Sequence, residues 1–406
     1  MTGLDAAPAL GSVPGPDSGA GEAPRLVAVV ATVKGSPEEA CRFVRRNLRA
    51  GADHVVVIVD DADPAVLRAL REDADAAEQT TAIGAGDRFW REGRWTRWRP
   101  SGLNQRQGIG ANLANCLVSC VPRFDWLFHL DLDERLHLDR QRLLGLRRGV
   151  RAVTLEPLEA VSTEVPEEPT RYKRRPNAAT LAELHRRGLI DEPTGGAYFR
   201  GHSSGKQGIR PDPRLRLGIH RVRESGGELV VEPLHREWLQ VLHDESLSFE
   251  DFVRKWTALS SAGAFWQKPR RQELGERVLE ALNDRSLEAA PREERLRALY
   301  RSHVADDVAA LEELGLVTTP RPEWSAYPPE ELTDTERATL AGVAAVLAGA
   351  PKRAFDRFGP PAEQLLQELH DREARRGADP LVLAGLRAAV ARTAASSEGG
   401  VSGSRA

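Results

Sequence analysis

Two apolar runs near the start of the chain, 26–33 (LVAVVATV) and 54–59 (HVVVIV), constrain the fold more than any other feature. A half-exposed strand alternates apolar with polar residues. Runs with almost no polar side chain must be covered on both faces, the habit of central parallel strands. Lys34-Gly35-Ser36-Pro37 closes the first run, and Pro37-Glu38-Glu39 opens a helix reaching Arg49. The second run ends on Asp60-Asp61-Ala62-Asp63, and Pro64 begins a second helix that extends to Asp75. Strand, helix, strand and acidic crest predict an α/β sheet whose ligands collect at the carboxyl ends of its strands. The turn after the first strand lacks G-x-G-x-x-G, which argues against a dinucleotide such as NAD.

The stretch Trp126 to Leu138 (WLFHLDLDERLHL) predicts a short buried strand that runs into Asp131, Asp133 and Glu134. Carboxylates seldom go below the surface unpaired, so this crowding requires a cation or a hydrogen-bonded turn. On a regular strand Asp131 and Asp133 share a face. Hard oxygen ligands of that kind suit Mg²⁺ or Mn²⁺, which in turn bind phosphate oxygens. The competing reading is a solvated strand end that merely carries acids.

WLFHLDLDERL resembles the W-x-x-x-x-D-x-D-E segment of glycosyltransferase family 2-like proteins, over roughly residues 24–260. The resemblance implies a GT-A-like α/β fold (a Rossmann-like nucleotide-sugar-binding sheet) and a divalent metal, Mn²⁺ or Mg²⁺. It also implies a nucleotide-diphosphate sugar donor and a small-molecule, glycan or peptide acceptor. Asp133 then touches the metal, Asp131 lies near ribose or metal, and Glu134 braces the loop. The family's K-N-E becomes Lys34-Gly35-Ser36, and its D-N-x-S-x-D becomes Asp60-Asp61-Ala62-Asp63, leaving Asp60 or Asp61 to meet the base. Gln105-Arg106-Gln107 resembles the family's R-Q helix start, with Arg106 favoured for phosphate or ribose. Gly205 to Pro211 maps onto G-K-S-x-x-R-P with Gln207 in place of Ser, so Lys206 and Arg210 are expected at the diphosphate. Gly218-Ile219-His220 matches a G-x-H, which makes His220 the metal's further ligand ahead of His243. Lys255, in the loosely matching segment 238–256, is expected to reach back to the site.

Other stretches add candidates read from the residues. Trp90, Trp95 and Trp98 interleave with arginines in FWREGRWTRWRP, as a stacking platform or as a lid packed on the sheet. Residues 105–121 predict a helix whose polar entry faces the ligand, with Asn112 behind it. The strand at 152–155 leads to Glu156 and Glu159, the nearest candidates for a general base. Glycines 201, 205 and 208 would let backbone approach a ligand.

Beyond residue 270 the pattern is helix after helix with no motif carrying chemistry, a region that covers the catalytic part, binds an acceptor or forms a homodimer. The expected organisation is a disordered leader (1–24), a catalytic domain (25–260), a helical region (261–394) and a flexible tail (395–406). The 57 basic and 60 acidic residues leave a net charge of −3, a field that argues neither for nor against nucleic acid, which is not expected as a partner. No apolar run approaches the length of a membrane span. Cys41, Cys116 and Cys120 form no C-x-x-C pair and fit a reducing cytoplasm. The functional expectation is a metal-dependent glycosyltransferase. A nucleotidyltransferase is the alternative, although Lys34-Gly35-Ser36 is short for its phosphate loop, and a non-catalytic nucleotide- or glycan-binding protein is the third reading.

Overall fold

Successive residues of β1 (Leu26–Val33) part to opposite faces of one sheet in the computed structural model. Leu26, Ala28 and Val30 enter one hydrophobic core, and Val27, Val29, Ala31 and Val33 enter another. β2 (His54–Val59) divides likewise, with Val56 and Ile58 on the first face and Val55, Val57 and Val59 on the second. Two cores require two apolar faces, which is why these strands carry so few polar residues. The structure describes residues 23–92, 96–162, 169–224, 231–262 and 269–398. The leader up to residue 22, Trp95, residues 163–168 of the Pro-rich loop and the tail from residue 399 lie outside the described residues.

Between β1 and β2 runs α1 (Pro37–Arg49), opened by a capping box in which Ser36 and Glu39 each bond the other's backbone N–H. After β2 come α2 (Pro64–Glu72), β3 (Thr80–Gly84) and α3 (Leu103–Val118). Then follow β4 (Phe124–His129), β5 (Glu134–Leu138), α4 (Arg140–Leu144) and β6 (Ala152–Ala160). The chain continues through β7 (Tyr172–Lys173), α5 (Ala178–Arg186), α6 (Gly195–Tyr198), β8 (Lys206–Ile209), β9 (Leu215–Leu217), β10 (Val222–Glu224) and β11 (Leu234–His243). The remainder holds α7 (Phe249–Ala262), α8 (Pro269–Asn283), α9 (Ala289–His303), α10 (Val308–Glu313), β12 (Val317–Thr318), α11 (Asp334–Ala348), α12 (Ala362–Arg375) and α13 (Pro380–Glu398).

The main sheet has the order β12-β7-β6-β8-β4-β1-β2-β3, with β11 pairing both β5 and β6. β4, β1, β2 and β3 are mutually parallel, and β8 runs antiparallel between β4 and β6. This is a mixed parallel and antiparallel α/β sheet with a helical C-terminal region. The two ends of that helical region behave differently. Leu340 and Val343 of α11, Leu366 of α12 and Leu386 of α13 complete the same core as β1 and α3. By contrast, α7, α8 and α9 pack around their own cluster of Phe252, Trp256, Val278 and Tyr300.

Two polar residues of α3 turn out to be clips within the core. Asn112 bonds Leu217 N–H (2.7 Å) and the carbonyl of Phe355 (3.0 Å), and Asn115 bonds both the N–H (3.1 Å) and the carbonyl (2.7 Å) of Asp212. Neither faces a ligand. Of the two readings of the tryptophan stretch, Trp90 follows the packed one: it is buried with its indole N–H on the Ala85 carbonyl at 2.8 Å.

Glycines 201 and 208 make room for protein rather than ligand. A Cβ on Gly208 would lie 2.2 Å from the Phe128 ring, and one on Gly201 1.9 Å from the His243 ring. Gly208→Ala should therefore destabilise the fold by about 1–3 kcal/mol, the range for overpacking a tight core. Urea unfolding of that variant against the parent measures it, and an unchanged midpoint would refute the packing.

Candidate active site

Residues 131–134 leave the sheet as a tight turn. Glu134 N–H bonds the Asp131 carbonyl at 3.0 Å, and the Glu134 carboxylate reaches back to Asp131 N–H at 2.7 Å. β4 has already ended at His129 and β5 begins at Glu134. Asp131 and Asp133 thus do not share a strand face as expected; they flank a turn and project to separate partners. Asn47 of α1 fixes the start of β5, donating to the Glu134 carbonyl (3.2 Å) and accepting from Leu136 N–H (3.0 Å).

Each carboxylate of the turn is met by a cation from a distant element. Lys206, fully buried at the head of β8, donates to Asp131 Oδ2 at 2.5 Å and lies 3.3 Å from Glu134 Oε2. Lys255 of α7 sits 2.6 Å from Asp133 Oδ2 and 2.7 Å from Glu245 Oε2. Gln107 of α3 supports Asp131 at 2.8 Å. Burial pushes Glu134 up, but Lys206 and His202 outweigh it and hold the carboxyl well below the usual carboxylate range. Burial acts likewise on Asp133, and Lys255 and His243 hold it well below that range.

Three imidazoles stand beside the turn. His202 bonds Glu134 Oε1 at 2.5 Å, its ring stacks on His243 at 5.1 Å, and its other side meets His220 at 4.8 Å. Burial presses on His243, but Asp133, then Glu245 and Glu134, hold its pKa up to about 9. Burial and neighbouring His202 push His220 down to about 4, and its Nδ1 faces the Gly205 carbonyl at 2.8 Å. Among the described residues two sets have ligand atoms within 4.8 Å of one another, Asp133/His243/Glu245 and Glu134/His202/His243. Both mix carboxylate oxygen with imidazole nitrogen, a donor set that fits a divalent cation. His220 belongs to neither. His202 and Glu245, which sequence reasoning misses, do. The one signal pointing to His202 is its place in the Gly-rich basic stretch before Lys206.

These groups open onto a cleft of about 420 Å³ at the carboxyl ends of β1 and β4. Its walls include Thr32, Lys34 and Gly35 after β1, Arg42 and Arg46 of α1, and Gln107 of α3. Asp131, Asp133, His243 and Glu245 lie in its floor, and α7 supplies Asp251, Arg254 and Lys255 as a roof. Lys34 and Arg42 are exposed and make no ion pair among the described residues. Arg254 ties α7 to α1 across the mouth, 3.1 Å from Glu39.

Other expected site residues lie elsewhere. Asp60 and Arg106 hold each other in a buried two-pronged pair (2.9 and 3.0 Å), and Arg99 adds a third bond. Asp61 is exposed on the turn behind them, and none of the three lines the cleft. Arg210 follows the far end of β8, where it meets Asp125 at 2.6 Å and stacks over Trp126 at 4.6 Å. β8 is extended, so residues four apart in the motif fall at its opposite ends, roughly 13 Å apart, and its antiparallel direction puts Lys206 rather than Arg210 beside the carboxyl end of β4. Lys206 reaches the site only through the carboxylates it braces. Glu156 points to half-exposed Arg175 at 3.5 Å. Glu159 is buried, accepting from the N–H groups of Arg200 and Gly201 and lying 2.9 Å from Lys173. Burial raises its pKa, but Lys173, His243 and these bonds bring it down to about 2, too weak a base to take a hydroxyl proton.

No family model matches the sequence, and no curated protein matches it. Among solved structures it is similar to HddC from Yersinia pseudotuberculosis, at 9% identity over 34% of this chain and 60% of that chain, with a TM-score of 0.21. It is similar to mannose-1-phosphate geranyltransferase from Thermus thermophilus, at 11% identity over 69% and 71% of the two chains, TM-score 0.23. The glycosyltransferase GlyE of Streptococcus pneumoniae matches at 11% identity over 86% and 64%, TM-score 0.21. Likeness at this level carries no argument about activity, and the reading of the site rests on its own residues.

The bracing role of Lys206 has a measurable consequence. Lys206→Ala leaves Asp131 and Glu134 without their ammonium and should cost about 3–5 kcal/mol at pH 7, the usual cost of breaking a buried pair. Glu134's depressed pKa gives stability that is present above the unfolded carboxylate pKa and lost as pH falls. The gap between parent and variant should therefore narrow as pH drops through about 4. Urea titrations at pH 7 and pH 4 check it, and a gap that widens towards acid would contradict the pairing.

Proposed function

We propose that the cleft binds a nucleoside-diphosphate sugar together with Mn²⁺ or Mg²⁺ and transfers the sugar to an acceptor. One observation carries the reading: at the carboxyl ends of β1 and β4, metal-competent carboxylates and imidazoles share one cleft with the exposed cations Lys34 and Arg42. A diphosphate needs both kinds of group, a cation bridging its oxygens and further positive charge around it.

Both sets line the cleft, and Asp133, His243 and Glu245 are the one we assign to the cation, because they supply two charged oxygens and one nitrogen, whereas the single carboxylate of the other set, Glu134, is held by buried Lys206. When bound, the cation neutralises the departing diphosphate. Lys34 and Arg42 then reach phosphate oxygens from the α1 side. Lys206 acts from behind by holding Asp131 and Glu134 in place and keeping Glu134 ionised, a positioning role. α7 closes over the donor and excludes water, held to α1 through Arg254 and Glu39. Asp60, Asp61, Arg106, Arg210, His220, Glu156 and Glu159 have no direct part in this reading. A nucleotidyltransferase would need a phosphate loop after β1, and here Ser36 caps α1 two residues after Lys34.

Lys255 competes for the same oxygens, which supplies a sharp test. Asp133→Ala and Glu245→Ala should each weaken Mn²⁺ binding by tenfold or more, and Lys255→Met should strengthen it by a similar factor. His220→Ala should leave it within twofold. Calorimetric titration with Mn²⁺ alone reads all four, and a screen of UDP- and GDP-sugar hydrolysis with and without Mn²⁺ tests the chemistry. Mn²⁺ binding that ignores Asp133 and Glu245, or nucleotide-sugar binding absent throughout the screen, would overturn the reading.

A further inference from the structure

A second groove, about 500 Å³, runs outward from the cleft along the solvent face of α1. Arg42, Arg45, Arg46 and Arg49 form its spine, and Arg254 leans in from α7. The opposite face of α1, with Phe43, Val44, Asn47 and Leu48, is buried, so the stripe is fixed outward by the packing of the helix. At i+3 and i+4 spacing every one of the four guanidinium groups neighbours two others, and like charges at that spacing destabilise a helix. The helix dipole accounts for Arg46 and Arg49 in the last turn but not for Arg42 nearly two turns earlier. Arg45 is partnered by Asp73 at 3.5 Å and Arg46 by Asp244 at 2.9 Å. Arg42 and Arg49 are exposed and make no ion pair among the described residues. They lie seven residues apart, about 10 Å along the helix, further than one diphosphate can span.

Groove and cleft share Glu39, Arg42, Arg46 and Arg254 as a common wall. A ligand in the groove therefore abuts whatever occupies the cleft. Among the described residues, arginine is the only basic type lining the groove, joined by Ser36, Glu38 and Glu39, with no aromatic side chain. Single-stranded nucleic acid relies on aromatic stacking, and the chain's net charge of −3 offers no broad attractive field for a polymer of phosphates. Guanidinium groups interspersed with hydroxyl and carboxylate acceptors suit a ligand bearing both anionic groups and hydroxyls.

We propose that this groove is the acceptor subsite and that the acceptor is an anionic saccharide, with phosphate, sulfate or carboxylate groups spaced along it. The acceptor assignment rests on the transferase reading above, whereas binding of the anionic saccharide does not. Arg45 and Arg49 belong to the groove alone and are the residues to change. A sulfated, carboxylated heparin tetrasaccharide should bind the full chain without metal, and a phosphorylated maltotetraose should bind the same site. Neutral maltotetraose should not. Arg45→Ala/Arg49→Ala should weaken both anionic probes by tenfold or more, and Arg49→Glu should do so alone, with circular dichroism unchanged. Binding of UDP with Mn²⁺ to the same variants should stay within twofold of the parent. Equal affinity of parent and variants for the tetrasaccharide, equal binding of the neutral sugar, or tighter binding of a dT pentanucleotide than of either anionic saccharide would overturn the proposal. If UDP and GDP fail to bind in any form while the tetrasaccharide still depends on Arg45 and Arg49, the transfer reading falls and the saccharide site stands.

Discussion

The ammonium of Lys206 is the constraint on which the site depends. It is buried at the head of β8 and holds Asp131 and Glu134 at once. A buried ion pair contributes little net stability, but losing one partner costs several kcal/mol. The arrangement therefore specifies position more than it stabilises: β8 cannot slide along β4 without stranding two carboxylates. Gly208 closes the same register from the other side, where the Phe128 ring occupies the space a side chain would take. Charge and packing together set where the 131–134 turn stands, and the turn sets where Asp133 points.

Elements remote in sequence then converge on that turn because each has its own reason to be there. α1 lies over the sheet through its apolar face and reaches β5 through Asn47. β11 pairs with β5 and ends at His243, delivering that ring beside Asp133. α7 begins at Phe249, a short loop later, so its second turn brings Lys255 back over the same carboxylates. Gly201 lets the preceding loop pass within contact of His243, and His202 follows it into the stack.

Much of this is legible in local pattern and little of it in pairwise spacing. The bounds of β1 and β2 match their apolar runs, since two-sided burial leaves a direct trace. β3 leaves no such trace, because Thr80–Gly84 is short and only half-buried at most positions. The apolar pattern of β6 stops at Leu155, yet the strand runs to Ala160 and carries Glu159 into the interior, where Lys173 meets it. The acidic turn announces a metal locus, but which histidine joins it depends on the β11 register and the Gly201 contact, which no linear motif contains. Arg210 and Lys206 look equivalent in sequence; the extended strand separates them, and the antiparallel direction of β8 decides which of them stands at the site. Asp60 and Arg106 each read as ligand contacts when their strongest partner is the other.

The charge balance of the floor explains how such a site exists before any ligand arrives. Asp131, Asp133, Glu134 and Glu245 would repel one another strongly if crowded together unpaired. Lys206, Lys255 and a His243 whose pKa its acidic neighbours hold up to about 9 offset most of that charge, and a divalent ion bound at His243 would displace its proton. The two lysines are not equivalent. Lys206 is sealed in the sheet, whereas Lys255 sits on a helix at the cleft wall with a partly exposed side chain. An ammonium on a flexible stem can yield its oxygens to a divalent ion at modest cost in position. In the proposed reading, the displaced ammonium would remain beside the cleft and add to Lys34 and Arg42 as positive charge facing the diphosphate. One residue would thereby stabilise the empty floor and complement the filled one, and the sealed lysine would keep the turn in place through both.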